Sequence, residues 1–548
     1  SQRLEPSLLD RYFKGSSSLS VTVSNKPPLN VNRLVRGLLE YPYGCLEQTT
    51  SAAYPHLFID EAAARDYGLK PRTREERARF VDGAIARLAG MQKSNGGFTL
   101  WGDGAYEVWL SAYVVGFLQD ARAQGFSVPD TMYKSAQDWL LQQLQQAPNR
   151  FPSLPASARA KPASAPLPTF DSRDYVLLRD SHQRFAEMAH VGYMLARDQK
   201  APLATLRYLH DHVRDRARSP LPLVHLALAL KLMGDEARAK VALDDAMSRD
   251  YGIHGSRYAW ETEWLGDYGS AARDLALSYA LLVRHQVAHS RRENLLFDLA
   301  NRLGTRNYYS TQERMALFLA ARAAGGESGG AWRASLKSGD DVQALGSRGG
   351  SEQRSLDPAM LGRGASVVNE HKDALFVEVE AAGYPIRMPS VRNEVIELQR
   401  DWFEPDGKAW KGRPLKAGDM LIVRVRARAK TRIEDALIVD RIPAGFEVEN
   451  LNISQGPKAG EFSIDGVNLA VAMADQRIKH REYRDDRYVA AARLDGQWLP
   501  VFYMVRVVSP GRFVVPPSFG EDMYRPEMRG IGNTPEPVTI QDPRPGPP

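Results

Sequence analysis

Cys45 and Gln48 carry the chemistry that we expect from this chain. Cys45 is the only cysteine among 548 residues, and Gln48 follows it by three positions at the start of an apolar segment. Residues i and i+3 share one face of a helix, so the thiol sulfur and the side-chain carboxamide carbon can meet. Attack of the thiolate on that carbon, with loss of ammonia, gives an internal thioester. We therefore predict a stored acyl group that captures a nucleophile covalently.

The residues around this pair predict how such a bond is protected. A thioester is fragile in water, and the aromatic neighbours Tyr41, Tyr43 and Tyr54 can wall it off. Gly44 permits the close backbone approach that a small ring requires. A helix N-terminus also favours the thiolate form of Cys45. On the spacing alone, the alternative is a buried cysteine followed by an ordinary glutamine.

Helices must position this pair. From residue 30 to about residue 325, apolar residues recur at helical spacing in segments separated by Gly, Pro or Asp, which predicts about twelve helices. Short connections make successive helices antiparallel neighbours, so we expect stacked αα-hairpins in a solenoid or a closed ring, and we favour the ring. Residues 148–170 are rich in Pro, Ala and Ser, which predicts a surface excursion.

β-strands are predicted on both sides of the helices. Residues 17–25 alternate apolar and polar side chains, and the later segments ALFVEVEAAGY, DMLIVRVRARAK, DALIVDRI and VFYMVRVVS have the same period of two. This pattern is typical of a β-sandwich. Because a strand precedes the helices and strands follow them directly, we expect a helical domain inserted into a small β domain, with a second β domain after it.

Composition narrows the class of protein. Hydrophobic residues make up 43% of the chain and charged residues 25%, which is ordinary for a globular protein, and the length suggests about two to four domains. The net charge of +6 comes without a Lys/Arg block, so we expect no nucleic-acid partner. A single cysteine excludes intrachain disulfides and thiolate metal cages. No apolar run reaches the roughly 18 residues that span a bilayer.

The reactive pair lies in a sequence that resembles a known family. PYGCLEQTTS, with Gly44, Leu46 and Glu47 beside the pair, resembles the thioester signature of the α2-macroglobulin and complement superfamily, in the CLEQ form of bacterial α2-macroglobulins. QKSNGGF, WLSAYVV, YGSAARD and STQE resemble the thioester-containing helical domain of that family. DRIPAGFEVEN and EDMYRPEMRG resemble its C-terminal macroglobulin-like domain. The resemblance spans nearly the whole chain.

The resemblance implies a multidomain fold of helices and sheets. An α/α toroid of about six helical hairpins is inserted into a CUB-like β domain, and a macroglobulin-like antiparallel β-sandwich follows. The expected ranges are 1–29 and 329–390 for the CUB-like domain, 30–328 for the toroid and 391–548 for the sandwich. The start, SQRLEPSLLD, has neither an initiator Met nor a signal-peptide core, so we expect a fragment whose other macroglobulin-like domains and bait region lie upstream.

The resemblance also implies a function in bacterial defence. In such proteins, cleavage of the bait region exposes the thioester, and a lysine of the attacking protease is acylated and held. Cys45 then supplies the sulfur and Gln48 the acyl group, in a single-use trap that is not a turnover enzyme and needs no cofactor or metal. The expected partners are host or competitor proteases and, from bacterial relatives, an inner-membrane peptidoglycan synthase. The expected location is the periplasm, with a lipoprotein anchor, absent from this chain, that ties the full-length protein to the inner membrane.

Tyr524 and Tyr43 are the residues that we expect to protect the thioester. Tyr524, in EDMYRPE, resembles the tyrosine by which the C-terminal domain of bacterial members covers the bond; the alternative is a turn tyrosine that stabilises the sandwich. Complement relatives also have a catalytic His about a hundred residues after the Cys. This chain has none at that distance, which favours direct attack by amines.

Other motifs give weaker predictions. Gly326 to Gly330 fits the G-x-S-x-G pattern of a hydrolase, but it follows a helix instead of a strand, so we predict a linker. His285 and His289 have metal-ligand spacing without a third ligand, which indicates a solvated helix end.

QKSNGGF supplies the alternative function, because it also resembles the repeat element of terpene cyclases and related αα-toroid enzymes. A cyclase needs an acidic donor cluster and a zinc prenyltransferase needs Cys and His ligands, and we recognise neither. We therefore predict turn and helix-packing roles for the Gln, both Gly and the Phe of this motif, residues 92 and 96–98. A non-covalent binding module built on the toroid is the third possibility.

Overall fold

The structure is a computed structural model that describes residues 1–27, 29–40, 44–149, 151, 172–249, 266–303, 308–326, 330–347, 350–449 and 459–542. The chain forms two compact units, Ser1–Tyr384 and Pro385–Pro548. Most of the surface excursion predicted at 148–170 lies outside the described residues.

The described helices of the first unit between residues 31 and 326 follow one another as hairpins. They are α1 (Val31–Glu40), α2 (Leu46–Phe58), α3 (Glu61–Asp66), α4 (Arg74–Ala89), α5 (Val108–Ala123), α6 (Asp130–Gln145), α7 (Arg173–Arg197), α8 (Leu203–His212), α9 (Leu221–Leu232), α10 (Glu236–Ser248), α11 (Ala271–Arg284), α12 (Arg292–Leu303) and α13 (Thr311–Gly326). Short 3-10 helices follow α6 and α8, at Ala147–Asn149 and Arg214–Arg216.

Six of these helices form a closed inner ring. Each of α2, α5, α7, α9, α11 and α13 contacts the next, and α13 contacts α2. The remaining long helices pack outside the ring against these six. Inner helices have neighbours on every side, so α5 is buried continuously from Trp109 to Ala121 and α9 from Leu221 to Leu230. The predicted toroid of about six hairpins is confirmed.

The β domain of the first unit combines strands from before and after the helices. Its strands are β1 (Gln2–Arg3), β2 (Ser18–Ser24), β3 (Trp332–Ser338), β4 (Asp341–Ser347), β5 (Ser351–Leu356), β6 (Ser366–Asn369) and β7 (Phe376–Ala382). One sheet has the order β1-β6-β3-β4 and the other β5-β2-β7, with antiparallel pairing throughout. Val21, Trp332 and Leu336 belong to their shared core. Since β2 pairs with β5 and β7, the helical domain is inserted into this β domain.

The second unit contains two larger sheets that pack on each other. Its strands are β8 (Ile396–Phe403), β9 (Leu415–Lys416), β10 (Met420–Ala429), β11 (Ile433–Arg441), β12 (Phe446–Glu449), β13 (Ser463–Ile464), β14 (Val467–Asn468), β15 (Ile478–Arg484), β16 (Arg487–Leu494), β17 (Leu499–Val507), β18 (Gly511–Phe513), β19 (Phe519–Asp522), β20 (Arg529–Ile531) and β21 (Val538–Gln541). The larger sheets have the orders β12-β17-β10-β8 and β15-β16-β11-β19-β20. Short helices lie at Ala359–Gly362 in the first unit and at Leu469–Met473 in the second.

Contacts between these sheets confirm the predicted sandwich. The Tyr503 hydroxyl of β17 donates to Asp440 of β11 at 2.6 Å, and the Tyr503 ring stacks on Tyr488 of β16 with centroids 4.7 Å apart. The alternation of apolar residues did not predict that β21 pairs with β9 in parallel. None of the helices in the described part has the length and apolar composition of a membrane span.

Candidate functional site

Cys45 and Gln48 meet through the N-terminal cap of α2. Cys45 precedes the helix with an extended backbone, at φ −66° and ψ 169°. Its Sγ accepts a hydrogen bond from the Gln48 backbone N–H, and Gln48 Oε1 accepts one from the Cys45 backbone N–H, both at 3.4 Å. This reciprocal arrangement is a capping box, which satisfies two backbone donors at the helix start. The i,i+3 pairing is therefore present, although Cys45 caps the helix instead of lying in its first turn.

Solvent is excluded from the whole tetrad. Cys45, Leu46 and Glu47 have no exposed side-chain surface, and Gln48 is 3% exposed. The Leu46 backbone N–H donates to the Leu100 carbonyl at 2.8 Å, which ties the motif to the segment that follows the first hairpin turn. A dry environment is what an acyl–sulfur bond needs in order to last in water.

The predicted aromatic shield is only partly tested. Tyr41 and Tyr43 lie outside the described residues, so protection by Tyr43 stays a prediction. Tyr54 lies nine positions along α2 from Cys45, about 14 Å away at the rise of a helix. Its ring packs against Tyr113 and Phe117 in the core of the toroid, with centroids 5.8 and 5.3 Å away. The expectation that Tyr54 walls off the thioester is therefore wrong, because the helix carries it away from the cap.

Gly44 lies against an arginine side chain, and its predicted role in a small ring stays a prediction. The Arg87 Nε donates to the Gly44 carbonyl at 3.0 Å. A Cβ at residue 44 would lie 1.9 Å from Nη2 of Arg87. The missing side chain thus admits a guanidinium, which holds the peptide just before Cys45. Sequence reasoning missed Arg87, since nothing in α4 marks which of its arginines faces the motif.

Glu47 joins the motif to the last helix of the ring. Its carboxyl accepts hydrogen bonds from Ser51 Oγ at 2.6 Å, Thr311 Oγ1 at 2.5 Å and Gln312 Nε2 at 2.8 Å. Burial raises the pKa of this carboxyl above its ordinary value, and the three donors oppose that rise. Thr311 and Gln312 belong to the STQE segment that resembles the family, but its position beside the tetrad was not predictable.

QKSNGGF forms a hairpin turn, as predicted. The Gln92 side-chain amide donates to the carbonyls of Gly96 and Met132 at 3.1 and 3.0 Å, and to Ser135 Oγ at 3.1 Å. Gly96 has φ +97°, and a Cβ there would lie 2.1 Å from the Ser135 carbonyl oxygen. A glycine is therefore required both by the backbone conformation and by the close approach of α6.

Tyr524 belongs to the second unit and follows β19. It is 1% exposed, and its backbone N–H donates to Asp522 Oδ1 at 2.9 Å. Arg525 Nε donates to the other carboxylate oxygen of Asp522, also at 2.9 Å. These bonds fix the turn that presents the tyrosine. Its role as a cover for the thioester stays a prediction.

The two histidines predicted to lie at a solvated helix end have different surroundings. His285 ends α11 and, being partly buried, forms a hydrogen bond of 2.8 Å with the Tyr193 hydroxyl, so it is less solvated than predicted. The Nε2 atom of His289 lies 3.7 Å from Oδ1 of Asp244. Across the residues that the structure describes, no group of three His, Cys, Asp or Glu side chains could hold a metal ion. Gly326 is the last residue of α13, and residues 327–329 of the G-x-S-x-G match lie outside the described part.

Two family models match the chain. Residues 396–527 match the bacterial alpha-2-macroglobulin MG10 domain, and residues 18–158 match the A-macroglobulin TED domain. The alpha-2-macroglobulin of Xylella fastidiosa (strain Temecula1) is 36% identical over 98% of this chain and 31% of its own length. That of Escherichia coli (strain K12) is 37% identical over 93% of this chain and 29% of its own length. The chain thus spans about a third of the length of these curated relatives.

Solved structures extend the likeness to three dimensions. The chain is similar to the structure of native alpha-2-macroglobulin from Escherichia coli that spans domain MG7 to the C-terminus, with a TM-score of 0.84 and 35% identity. The match covers 98% of this chain and 80% of that one. Salmonella alpha-2-macroglobulin reacted with methylamine gives a TM-score of 0.83 and 32% identity, over 99% of this chain and 33% of that one. The inserted toroid, the sandwich and these matches agree, and the chain belongs to the bacterial alpha-2-macroglobulin family.

Proposed function

We propose that this chain carries the covalent capture site of a protease inhibitor. The Cys45 thiolate attacks the Gln48 side-chain carbonyl carbon, the C–N bond breaks, ammonia leaves, and a thioester remains. After bait cleavage elsewhere in the full-length protein, the amine of a protease lysine attacks the same carbon. An amide forms and the Cys45 thiol is released. The observation that carries this proposal is the buried capping box, which holds the thiol against residue 48.

The surroundings of the pair favour both steps. The start of α2 carries the positive end of the helix dipole, which stabilises a thiolate while the bond forms and when the sulfur leaves. The bonds from Arg87 to Gly44 and from Leu46 to Leu100 hold the residues on both sides of Cys45. Because the acyl group is consumed once, we expect an endopeptidase inhibitor that acts as a single-use trap and not an enzyme.

The nucleophile that we propose is an amine. Salmonella alpha-2-macroglobulin reacts with methylamine, and a lysine side chain presents the same functional group. Proteases are therefore the proposed covalent partners. The cover by Tyr524, the periplasmic location, the lipoprotein anchor and an inner-membrane peptidoglycan synthase as partner are further proposals that rest on the family resemblance.

Intact mass and thiol titration test the thioester. We expect the freshly purified chain to be lighter than its sequence by one ammonia and to show no reactive thiol. Methylamine should add itself at Gln48, leave the chain heavier than its sequence by one methylene group, and release one thiol. Gln48→Asn, whose side chain is one methylene shorter, should show the full sequence mass and a thiol from the start. Full mass in the unaltered chain, with a titratable Cys45, would contradict the proposal.

The same assay tests the cover. Tyr524→Ala should release thiol faster than the unaltered chain in the absence of methylamine, because water gains access to the acyl carbon. Tyr524→Phe keeps the ring and should stay slow. Equal rates for the alanine variant and the unaltered chain would leave Tyr524 as a turn residue of the sandwich.

A further inference from the structure

A cavity of about 230 Å³ opens at the opposite end of α2 from Cys45. Apolar side chains such as Leu39, Ile59 and Leu69 form part of its wall, and no acidic residue lines it. Its polar lining is almost entirely basic. The basic side chains are Arg36, His56, Lys70, Arg72 and Arg77.

Arg77 is a buried cation without a carboxylate partner among the described residues. It is 7% exposed, and its Nη1 donates to the His56 backbone carbonyl at 2.9 Å. Its Nε has no hydrogen-bond partner within the described part of the chain. Asp60 and Glu61 favour the charge of Arg77 electrostatically without forming an ion pair with it, and burying a charge without a directly paired carboxylate is costly. Elsewhere in the toroid, ion pairs offset this cost. Arg273 is also buried, but its Nη2 lies 3.0 Å from Asp267 Oδ2 and its Nε lies 2.7 Å from Asp274 Oδ1.

The other cationic side chains of this cavity can also interact with an anion. Arg72 Nη1 lies 3.5 Å from His56 Nε2, and its guanidinium carbon lies 4.4 Å from the centroid of the Phe80 ring. Arg36 and Lys70 are exposed at the rim. As far as the described residues extend, neither they nor Arg72 form an ion pair. The cavity therefore concentrates positive charge beside an apolar wall.

We propose that this cavity binds a small oxyanion that carries a short apolar chain, of which a medium-chain carboxylate is the simplest example. Guanidinium groups bind carboxylate and phosphate through charge-assisted hydrogen bonds. The volume accommodates such a headgroup and a chain of about six carbons, at roughly 30 Å³ for each water-sized group. The apolar wall gives the chain a place to leave water.

Binding here stabilises the end of α2 that the reactive motif does not occupy. Pro55 and His56 of α2 line the cavity together with residues of α1, α3, the loop before α4 and α4 itself. A ligand would therefore hold five segments of the toroid together. The site does not depend on a thioester, so its occupancy can be measured whether or not Cys45 and Gln48 are joined.

Calorimetric titration of the 548-residue chain tests the headgroup. Hexanoate should bind one to one and about tenfold more tightly than hexanol, because only the oxyanion engages the guanidinium groups. Hexylammonium should not bind, and salt should weaken hexanoate. Hexyl phosphate binding more tightly than hexanoate would support the same site with a phosphate headgroup. Hexanol binding as tightly as hexanoate would overturn the proposal.

Substitutions test whether hexanoate binds in this cavity. Arg72→Gln, at a half-buried position in the loop before α4, should weaken hexanoate about fivefold. Arg79→Gln, on the exposed face of α4, is the matched control and should leave it unchanged. Arg77→Gln should have the larger effect, but it also removes the bond to the His56 carbonyl, so Arg72→Gln decides. Unchanged affinity in Arg72→Gln would overturn the proposal.

Discussion

Glu47 on α2 and Asp120 on α5 are two carboxyl groups buried in the same ring of helices, and they differ in the charge of their partners. Glu47 accepts hydrogen bonds from two hydroxyls and an amide. Asp120 accepts from two guanidinium groups. Burial raises the pKa of Glu47, whereas for Asp120 the guanidiniums overcome the same effect and hold the pKa below its ordinary value. The charge of the partners, and not burial, sets the direction.

The difference suits the places that the two carboxyls occupy. Asp120 with Arg197 and Arg284 is a fixed cluster of charges that ties α5 to α7 and α11. Glu47 stands next to Gln48 in the motif that we propose to carry the thioester, where its hydrogen-bond partners are two hydroxyls and an amide.

Asp120→Asn should have the largest effect, because it leaves Arg197 and Arg284 without their counter-charge. We expect the free energy of unfolding to fall by roughly 3 kcal/mol, the lower end for a broken buried pair since Arg284 stays partly exposed. Urea unfolding followed by helical circular dichroism measures it. Asp130→Asn, which breaks the exposed pair with Arg122, is the control and should change little. A loss in Asp120→Asn no larger than in the control would remove the contrast between the clusters.

The pH dependence of stability should separate the two carboxyls by sign. The pKa of Asp120 is lowered in the folded state, so its stabilisation is present above its unfolded pKa and is lost as the pH falls through the folded value. The pKa of Glu47 is raised, so its contribution is present below its unfolded pKa and is lost as the pH rises through the folded value. Unfolding from about pH 3 to pH 8 should show the penalty of Asp120→Asn shrinking in acid. The same measurement should show the free energy of unfolding of Glu47→Gln rising relative to that of the unaltered chain as the pH rises. Parallel curves for all three proteins would refute this assignment.

Glu47→Gln should have the smallest effect on stability. The amide keeps the size of the side chain and one acceptor oxygen, and the hydroxyls of Ser51 and Thr311 can turn to suit it. We expect a loss of about 1 kcal/mol at neutral pH. The variant should also keep the mass deficit of one ammonia, since no atom of the thioester changes. A destabilisation larger than that of Asp120→Asn would contradict this ranking of the two carboxyls.

The parts of the site that are local in sequence were predictable, and the rest were not. The pairing of Cys45 with Gln48 needs only three residues of spacing, and the toroid follows from apolar periodicity that repeats over hundreds of residues. Arg87 lies 43 positions from Gly44, and Thr311 lies 264 positions from Glu47. Such contacts depend on how whole helices pack, which the periodicity of each helix does not specify.

The features that were predicted wrongly or missed have the same origin. Tyr54 was expected near the thioester because it is close in sequence, but the rise of α2 carries it into the core. The role of Gly44 in a small ring stays a prediction, and its contact with a guanidinium from α4 was not predicted. The parallel pair joins β9, which has two residues, to β21, which has four, and strands this short give no readable period. The domain boundaries predicted from the resemblance stay predictions.

The bonds from Glu47 to Thr311 and Gln312 also set an order of events during synthesis. The ribosome makes the reactive motif first and the helix that completes its pocket last, 264 positions later. At about 5–20 residues per second, the nascent cysteine waits roughly ten to fifty seconds for its enclosure. If Cys45 and Gln48 form the proposed thioester, that bond is enclosed only when the ring has closed, so we expect an unfinished chain to carry a thiol and a finished one to carry the acyl group.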